Sequence, residues 1–197
     1  KLLNILLTIV TSLGSVMLPR VSNLLSSGNQ KAVNKLHEMS FLVYNLVIFP
    51  MIAGILIVNK DFVQFFLGQD FQDARYAIAI MVFRMFFIGW TNIMGIQILI
   101  PHNKNREFML STTIPAIFSV GLNLLLIPPL GYIGASIVSV ATEGLVWLIQ
   151  LYFTRSYLKE VKILPSMLKI LLAALLMYGA LYSAQAFMHF SSVVNVL

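Results

Sequence analysis

The chain has 197 residues, of which 59% are hydrophobic and only 10% charged, and its mean hydropathy is +0.89. An ordinary soluble domain is roughly 45–50% apolar and about 25% charged, so this composition argues against a soluble globular protein and indicates an integral membrane protein. The absence of cysteine excludes disulfides and thiolate metal sites, and we interpret the net charge of +6 as basic loops on one side of a membrane rather than as a nucleic-acid-binding surface.

Six apolar stretches are long enough to cross a bilayer, which takes about 20 mostly apolar residues. In chain order they are named spans A to F and cover residues 2–19, 41–59, 77–101, 108–128, 133–153 and 166–188. If span D begins near Ser111, only three charged side chains fall inside the spans: Arg84, Glu143 and Lys169. The predicted fold class is therefore an all-α integral membrane protein with six transmembrane helices.

Two of the connections carry local structural signals. Residues 28–40 place Val33, Leu36 and Met39 at a spacing of three, which predicts a short amphipathic helix on the cytoplasmic surface. The sequence PPLGYIG at 128–134 combines two prolines with two glycines and predicts a tight turn between spans D and E.

Basic residues are unevenly distributed among the connections. The loops after spans A, C and E carry eight Lys and Arg residues, whereas the loops after B and D carry only Lys60 and Arg75. The eight are Arg20, Lys31, Lys35, Lys104, Arg106, Arg155, Lys159 and Lys162. By the positive-inside rule, the loops after A, C and E are predicted to face the cytoplasm.

Span E contains a carboxylate in apolar surroundings. At about 100° per residue, its polar side chains Ser136, Ser139, Glu143 and Gln150 fall on one narrow stripe of the helix. Lipid offers no hydrogen-bond partner, so this stripe is predicted to face other helices or a water-filled cavity.

Arg84 in span C lies at a depth similar to that of Glu143. With a rise of 1.5 Å per residue, Arg84 is roughly 10 Å and Glu143 roughly 15 Å from the outer ends of their spans. Two readings stay open: an ion pair that only holds the two helices together, or groups that line a hydrated path for an ionic substrate or a proton. Lys169 is close to the cytoplasmic end of span F and can extend to the headgroups.

Motifs for catalysis or cofactor binding are absent: the sequence has no phosphate-binding loop, no dinucleotide fingerprint and no HExxH. His37, His102 and His189 fall in separate loops or in the tail, on both sides of the predicted membrane. Glu143 has no second carboxylate inside a span, which argues against two-carboxylate catalysis. We therefore expect no enzyme activity, no cofactor and no metal site.

Three stretches together resemble a known family. They are MLPRVSNLLSSG at 17–28, NIMGIQILIPHNKNREF at 92–108 and NLLLIPPLGYIGA at 123–135. In order and spacing they are similar to polysaccharide and O-antigen repeat-unit flippases of the Wzx type, in the multidrug/oligosaccharidyl-lipid/polysaccharide exporter superfamily. The chain starts with Lys1 inside an apolar stretch, so we expect residues 1–197 to be the C-terminal part of a transporter whose N-terminal lobe is missing.

The resemblance implies a mechanism and roles for particular residues. Six helices would form most of one lobe of a fold with roughly 12 to 14 helices, which alternates access between the two sides of the membrane. The cargo would be an undecaprenyl-pyrophosphate-linked oligosaccharide, moved across the bacterial cytoplasmic membrane with ion coupling. Arg84, Asn92 and Asn123 are the predicted substrate-binding residues, and Glu143 is the predicted ion-coupling residue.

The expected partners are the lipid-linked oligosaccharide, the bilayer and a polysaccharide polymerase complex, without nucleic acid. Two alternatives are a drug or lipid II exporter of the same superfamily, and a membrane protein that transports nothing, whether enzyme or structural.

Overall fold

The structure is a computed structural model that describes residue 14, residues 16–66, residue 68 and residues 71–194, and the side chains among them up to residue 183 except that of Phe66. These residues are helical apart from short connections. The elements are α1 (16–26), α2 (Gln30–Phe66), α3 (Ala74–Asn92), a π-helix (Ile93–Leu99), α4 (Asn105–Leu158) and α5 (Leu164–Val194). Most of span A and the side chain of His189 lie outside the described residues.

Four helical segments among the described residues are long and apolar enough to cross a membrane: α2, α3 with its π-helical extension, α4 and α5. The predicted class of all-α membrane protein is confirmed to that extent, but the count of six helices is not shown. Span B lies within α2 and span F within α5, whereas span C covers most of α3, the π-helix and the first two residues after it. Spans D and E both lie within α4, which has 54 residues.

Helix α4 is divided by one residue. Gly131 has φ 54° and ψ −131°, outside the helical region, and it separates a first arm (105–130) from a second arm (132–158). Either arm exceeds the length that a span needs. The chain stays helical through Pro128 and Pro129, so the predicted turn at 128–134 is confined to Gly131. A methyl group at buried Gly134 would overlap the carbonyl of Leu126, which shows how closely the arms meet at this bend.

Substituting Gly131 by alanine will lower the stability of the intact protein by about 1–3 kcal/mol, because a residue with a Cβ is strained at positive φ. No atom lies within 4 Å of a Cβ built at Gly131, so the effect isolates the backbone. Gly121→Ala is the matched control, since its Cβ also meets nothing and its backbone is helical. Thermal unfolding in detergent measures both variants, and equal stabilities would contradict a strained hinge at Gly131.

The amphipathic helix predicted at 28–40 is not a separate element. It is the beginning of α2, which runs without interruption to Phe66. Asn29 precedes this helix, and its side-chain oxygen accepts a hydrogen bond from the backbone N–H of Ala32 at 3.1 Å. Val33 is fully buried, whereas Met39 is 52% exposed. Three residues fall about 60° short of one full helical turn, so two such steps leave residues 33 and 39 about 120° apart around the helix. No helix-breaking residue stands between 30 and 49 to separate the two predicted elements.

The core lies where α2, α3 and the second arm of α4 meet. Phe41, Tyr44 and Ile48 of α2 pack against Met85 and other residues of α3, and α5 covers the far part of α2. An aromatic group closes the junction with α4: Phe86, Phe87, Trp90 and Trp147. Because lipid is as apolar as these side chains, close van der Waals packing rather than escape from water holds such helices together.

Candidate functional site

An ion pair joins α3 to the second arm of α4. Arg84 donates from Nη2 and Nε to Oε1 of Glu143, at 2.9 and 3.2 Å. The structure thus brings together two residues that the sequence placed at similar depths, and the roles predicted for them stay predictions. The side chains are 33% and 20% exposed, so each keeps a face that is not covered by the described residues. Both hydrogen bonds end on one carboxylate oxygen, and Oε2 of Glu143 has no partner among the residues described.

The polar stripe of the second arm faces protein, as predicted. Ser136 and Gln150 are buried and Ser139 is half-buried. The hydroxyls of Ser136 and Ser139 each donate to the backbone carbonyl four residues earlier, at 2.9 Å. The hydroxyls of both serines are therefore hydrogen-bonded within their own helix. Glu143, in contrast, forms an ion pair with a residue of another helix.

The two predicted asparagines lie apart from the ion pair. Asn123, in the first arm of α4, donates its amide to the carbonyl of Ser119 at 2.8 Å, within one helical turn. Asn92, at the end of α3, lines a small cavity of about 90 Å³ together with Ser40, Tyr44 and Gln97. Neither asparagine shares a hydrogen bond with Arg84 or Glu143, so the structure joins two of the four predicted site residues. A binding role for Asn92 and Asn123 stays a prediction.

A larger, apolar cleft of about 590 Å³ lies between α2, α3 and α5. Phe83 and Phe87, which flank Arg84 on α3, form part of its wall. The other lining residues are Phe49, Ile52, Ala53, Leu56, Phe86, Met167, Leu171, Ala174, Leu175 and Tyr178. On its far side Phe87 contacts the position of Gly144, with 3.7 Å to a Cβ built there, so this ring separates the cleft from the helix that carries Glu143.

A buried polar cluster at the π-helix was not predicted from the sequence. The Nε2–H of His37 donates to the backbone carbonyl of Gln97 at 3.1 Å, and the hydroxyl of Ser40 donates to Oε1 of Gln97 at 2.8 Å. On the opposite side, Nε2 of Gln150 donates to Oγ of Ser111 at 3.2 Å. The prediction that placed His37 in a surface loop is wrong, because α2 begins early and carries His37 into the core, where it is 1% exposed.

Within the described residues, no group of three His, Cys, Asp or Glu side chains could hold a metal ion. His37 and His102 are engaged separately: a ring nitrogen of His102 lies 2.7 Å from the carbonyl of Ile98, and its ring lies 4.1 Å from that of Tyr157.

Four membrane-length helical segments among the described residues, with an ion pair between two of them, are typical of a multi-pass membrane protein. Residues 3–197 match the family described as "Lipid II flippase MurJ", and the chain belongs to that family.

Two relatives extend the comparison. The chain is 28% identical over 157 residues to an uncharacterized membrane protein of Methanocaldococcus jannaschii, covering 80% of this chain and 31% of the relative. It is 28% identical over 163 residues to the "Putative O-antigen transporter" of Escherichia coli K12, covering 78% of this chain and 37% of the relative. No solved structure matches the chain. The chain thus spans about a third of the length of these relatives.

The broad prediction of a lipid-flippase family in the exporter superfamily is confirmed, and this family is one of flippases rather than enzymes. The narrower assignment to the Wzx type is not what the family match shows, because the matching family is described by lipid II.

Proposed function

We propose that residues 1–197 form six transmembrane helices of one lobe of a flippase that moves a polyprenyl-pyrophosphate-linked saccharide across the cytoplasmic membrane of a bacterium by alternating access. The observation that most strongly supports this proposal is the Arg84–Glu143 ion pair between two membrane-length helices. A charge at the centre of a membrane helix costs about 2.5–3.5 kcal/mol by insertion scales, so such groups are retained mainly where they pair or function. The lobe that completes the cavity belongs to the part of the protein outside this chain.

The geometry supports a coupling mechanism. Arg84 offers two N–H groups to one oxygen of Glu143, and a pyrophosphate offers the same guanidinium several anionic oxygens. When the pyrophosphate binds Arg84, Glu143 loses its counter-charge in a region of low dielectric. Its carboxylate is then free to bind the coupling ion, because an unpaired charge in a membrane helix is costly. Departure of the substrate restores the ion pair and releases the coupling ion.

The apolar cleft supports the lipid part of the cargo. Helix α3 carries Arg84 and also forms part of the wall of the cleft. An apolar chain in the cleft and an anionic group at Arg84 would therefore contact neighbouring faces of the same helix. Asn92 and Asn123 would contact the saccharide as neutral hydrogen-bonding groups.

Two cargoes are supported by different observations. The description of the family supports lipid II, and the relative from E. coli supports an O-antigen repeat unit. Both carry a saccharide on an anionic lipid, which is the chemistry that the ion pair and the cleft fit. A drug exporter or a membrane protein that transports nothing would not need that combination.

Complementation tests the proposal and separates the cargoes. The intact protein is produced in cells depleted of their lipid II flippase, and in cells lacking their O-antigen repeat-unit flippase. Appearance of labelled lipid II in the outer leaflet, or of O-antigen at the surface, is the expected result for the respective cargo. Failure in both strains, with normal amounts of protein in the membrane, would overturn the flippase proposal.

A further inference from the structure

Two basic segments distant in the chain meet at one end of the helices. The side-chain amide of Asn34, near the start of α2, donates to Oε2 of Glu160, in the connection between α4 and α5, at 2.8 Å. Lys31 and Lys35 stand one turn before and one residue after Asn34, and Lys159 and Lys162 stand on either side of Glu160. We call Lys31, Lys35, Lys159 and Lys162 the lysine cluster.

The lysine cluster is exposed, and none of its members forms an ion pair with a residue that the structure describes. The neighbouring carboxylates are Glu160, which already accepts the amide of Asn34, and Glu38, one turn further along α2. Arg155 adds a further cation one turn before Lys159. Positive charge therefore exceeds negative charge at this junction, and the excess attracts anions.

The lysine cluster lies at the edge of an exposed apolar surface. On α2, Met39 follows Lys35 by one turn and is 52% exposed; on α5, Leu164 and Leu168 follow Lys162 and are 65% and 49% exposed. Helix α2 has 37 residues, or about 55 Å, whereas the hydrocarbon core is about 30 Å thick. The apolar stretch of α2 begins at residue 41, so the turns that carry Lys31 and Lys35 precede it and belong at the level of the headgroups.

We infer that the lysine cluster binds the anionic headgroups of phospholipids in the bilayer leaflet at this end of the protein. Clusters of Lys and Arg next to membrane helices attract anionic lipids, and here two segments joined by the Asn34–Glu160 bond form one such cluster. The lysines are open to solvent and spread over two segments, which suits several mobile headgroups better than one enclosed phosphate. The inference is independent of the transported cargo.

The test uses the intact protein in vesicles of phosphatidylcholine with traces of spin-labelled phosphatidylglycerol or spin-labelled phosphatidylcholine. The fraction of each label that the protein immobilises gives its preference for the anionic lipid. We expect the fourfold variant K31Q/K35Q/K159Q/K162Q to lower that preference by at least about fivefold, the equivalent of one lysine near a membrane surface. The fourfold Lys→Arg variant keeps the charge and should keep the preference.

K60Q/R75Q serves as a control for loss of basic charge elsewhere and should also keep the preference. An unchanged preference in the fourfold Lys→Gln variant would overturn the inference. So would displacement of the labelled lipid by soluble pyrophosphate but not by sodium chloride of the same ionic strength, because that result would show a phosphate pocket instead of a headgroup surface. No arm of the experiment needs transport, so its failure is distinct from failure of the proposed function.

Discussion

Arg84→Ala in the intact protein will lower the export of the lipid-linked saccharide by about tenfold or more, while the amount of protein in the membrane stays normal. A hydrogen bond to a charged group contributes about 1.5–3 kcal/mol, and about 1.4 kcal/mol corresponds to a factor of ten. Export is measured by the appearance of the labelled saccharide in the outer leaflet. Lys169→Ala is the matched control, because Lys169 is an exposed cation in α5 that forms no ion pair with a described residue.

The exchanged pair R84E/E143R separates the two readings of this ion pair. If the pair only holds α3 against α4, the exchange restores both export and thermal stability. If Arg84 binds the pyrophosphate from its own position, the exchange restores stability but not export. Normal export by Arg84→Ala would remove Arg84 from the mechanism and leave the pair a structural role.

Gly89→Ala will destabilise the intact protein by about 1–3 kcal/mol, as expected for overpacking of a close contact. Gly89 is buried in α3, and a methyl group there would overlap the ring of Tyr44 on α2. Tyr44 cannot move aside freely, because it is buried and its hydroxyl donates to the backbone carbonyl of Met85. The free energy of unfolding, or the midpoint of thermal unfolding in detergent, measures the loss.

Gly54→Ala is the matched control in α2, where a Cβ would meet no atom within 4 Å. Alanine is favoured over glycine inside a helix by about 0.5–1 kcal/mol, so this variant should be neutral or slightly more stable. The double variant G89A/Y44A should lose less stability than the sum of the losses of the two single variants, because Y44A removes the ring that the new methyl group overlaps. Strict additivity would show that the α2–α3 contact is not where the strain arises.

Much of the site followed from local patterns. Composition indicated lipid as the solvent, because so apolar a chain cannot cover itself with polar surface. Positions along two predicted spans placed Arg84 and Glu143 at similar depths, and the ion pair confirms this prediction. Helical periodicity predicted that the stripe of Ser136 and Gln150 faces protein, and the burial of both side chains confirms that prediction. These are properties of one helix and of its position across a bilayer.

Other features depended on which helices touch. The apolar cleft needs α2, α3 and α5 side by side, and the cluster of His37 and Gln97 needs α2 against the π-helix. His37 and Met39 were misplaced because a spacing of three is close to, but not equal to, a helical turn, and because the sequence between residues 30 and 49 does not show where a membrane helix enters the headgroups.

The amino-acid sequence by itself indicated that this protein lies in a membrane, that the helix of span E carries one narrow polar stripe, and that opposite charges on two helices lie at similar depths, since each follows from composition or from a period along one chain segment. Only the tertiary structure decided that both Arg84 donors meet a single oxygen of Glu143, that α4 turns at Gly131 alone, and that Asn34 joins Glu160 across 126 positions. Contacts between distant segments depend on how side chains of several helices fill the same space, and no periodicity within one segment contains that information.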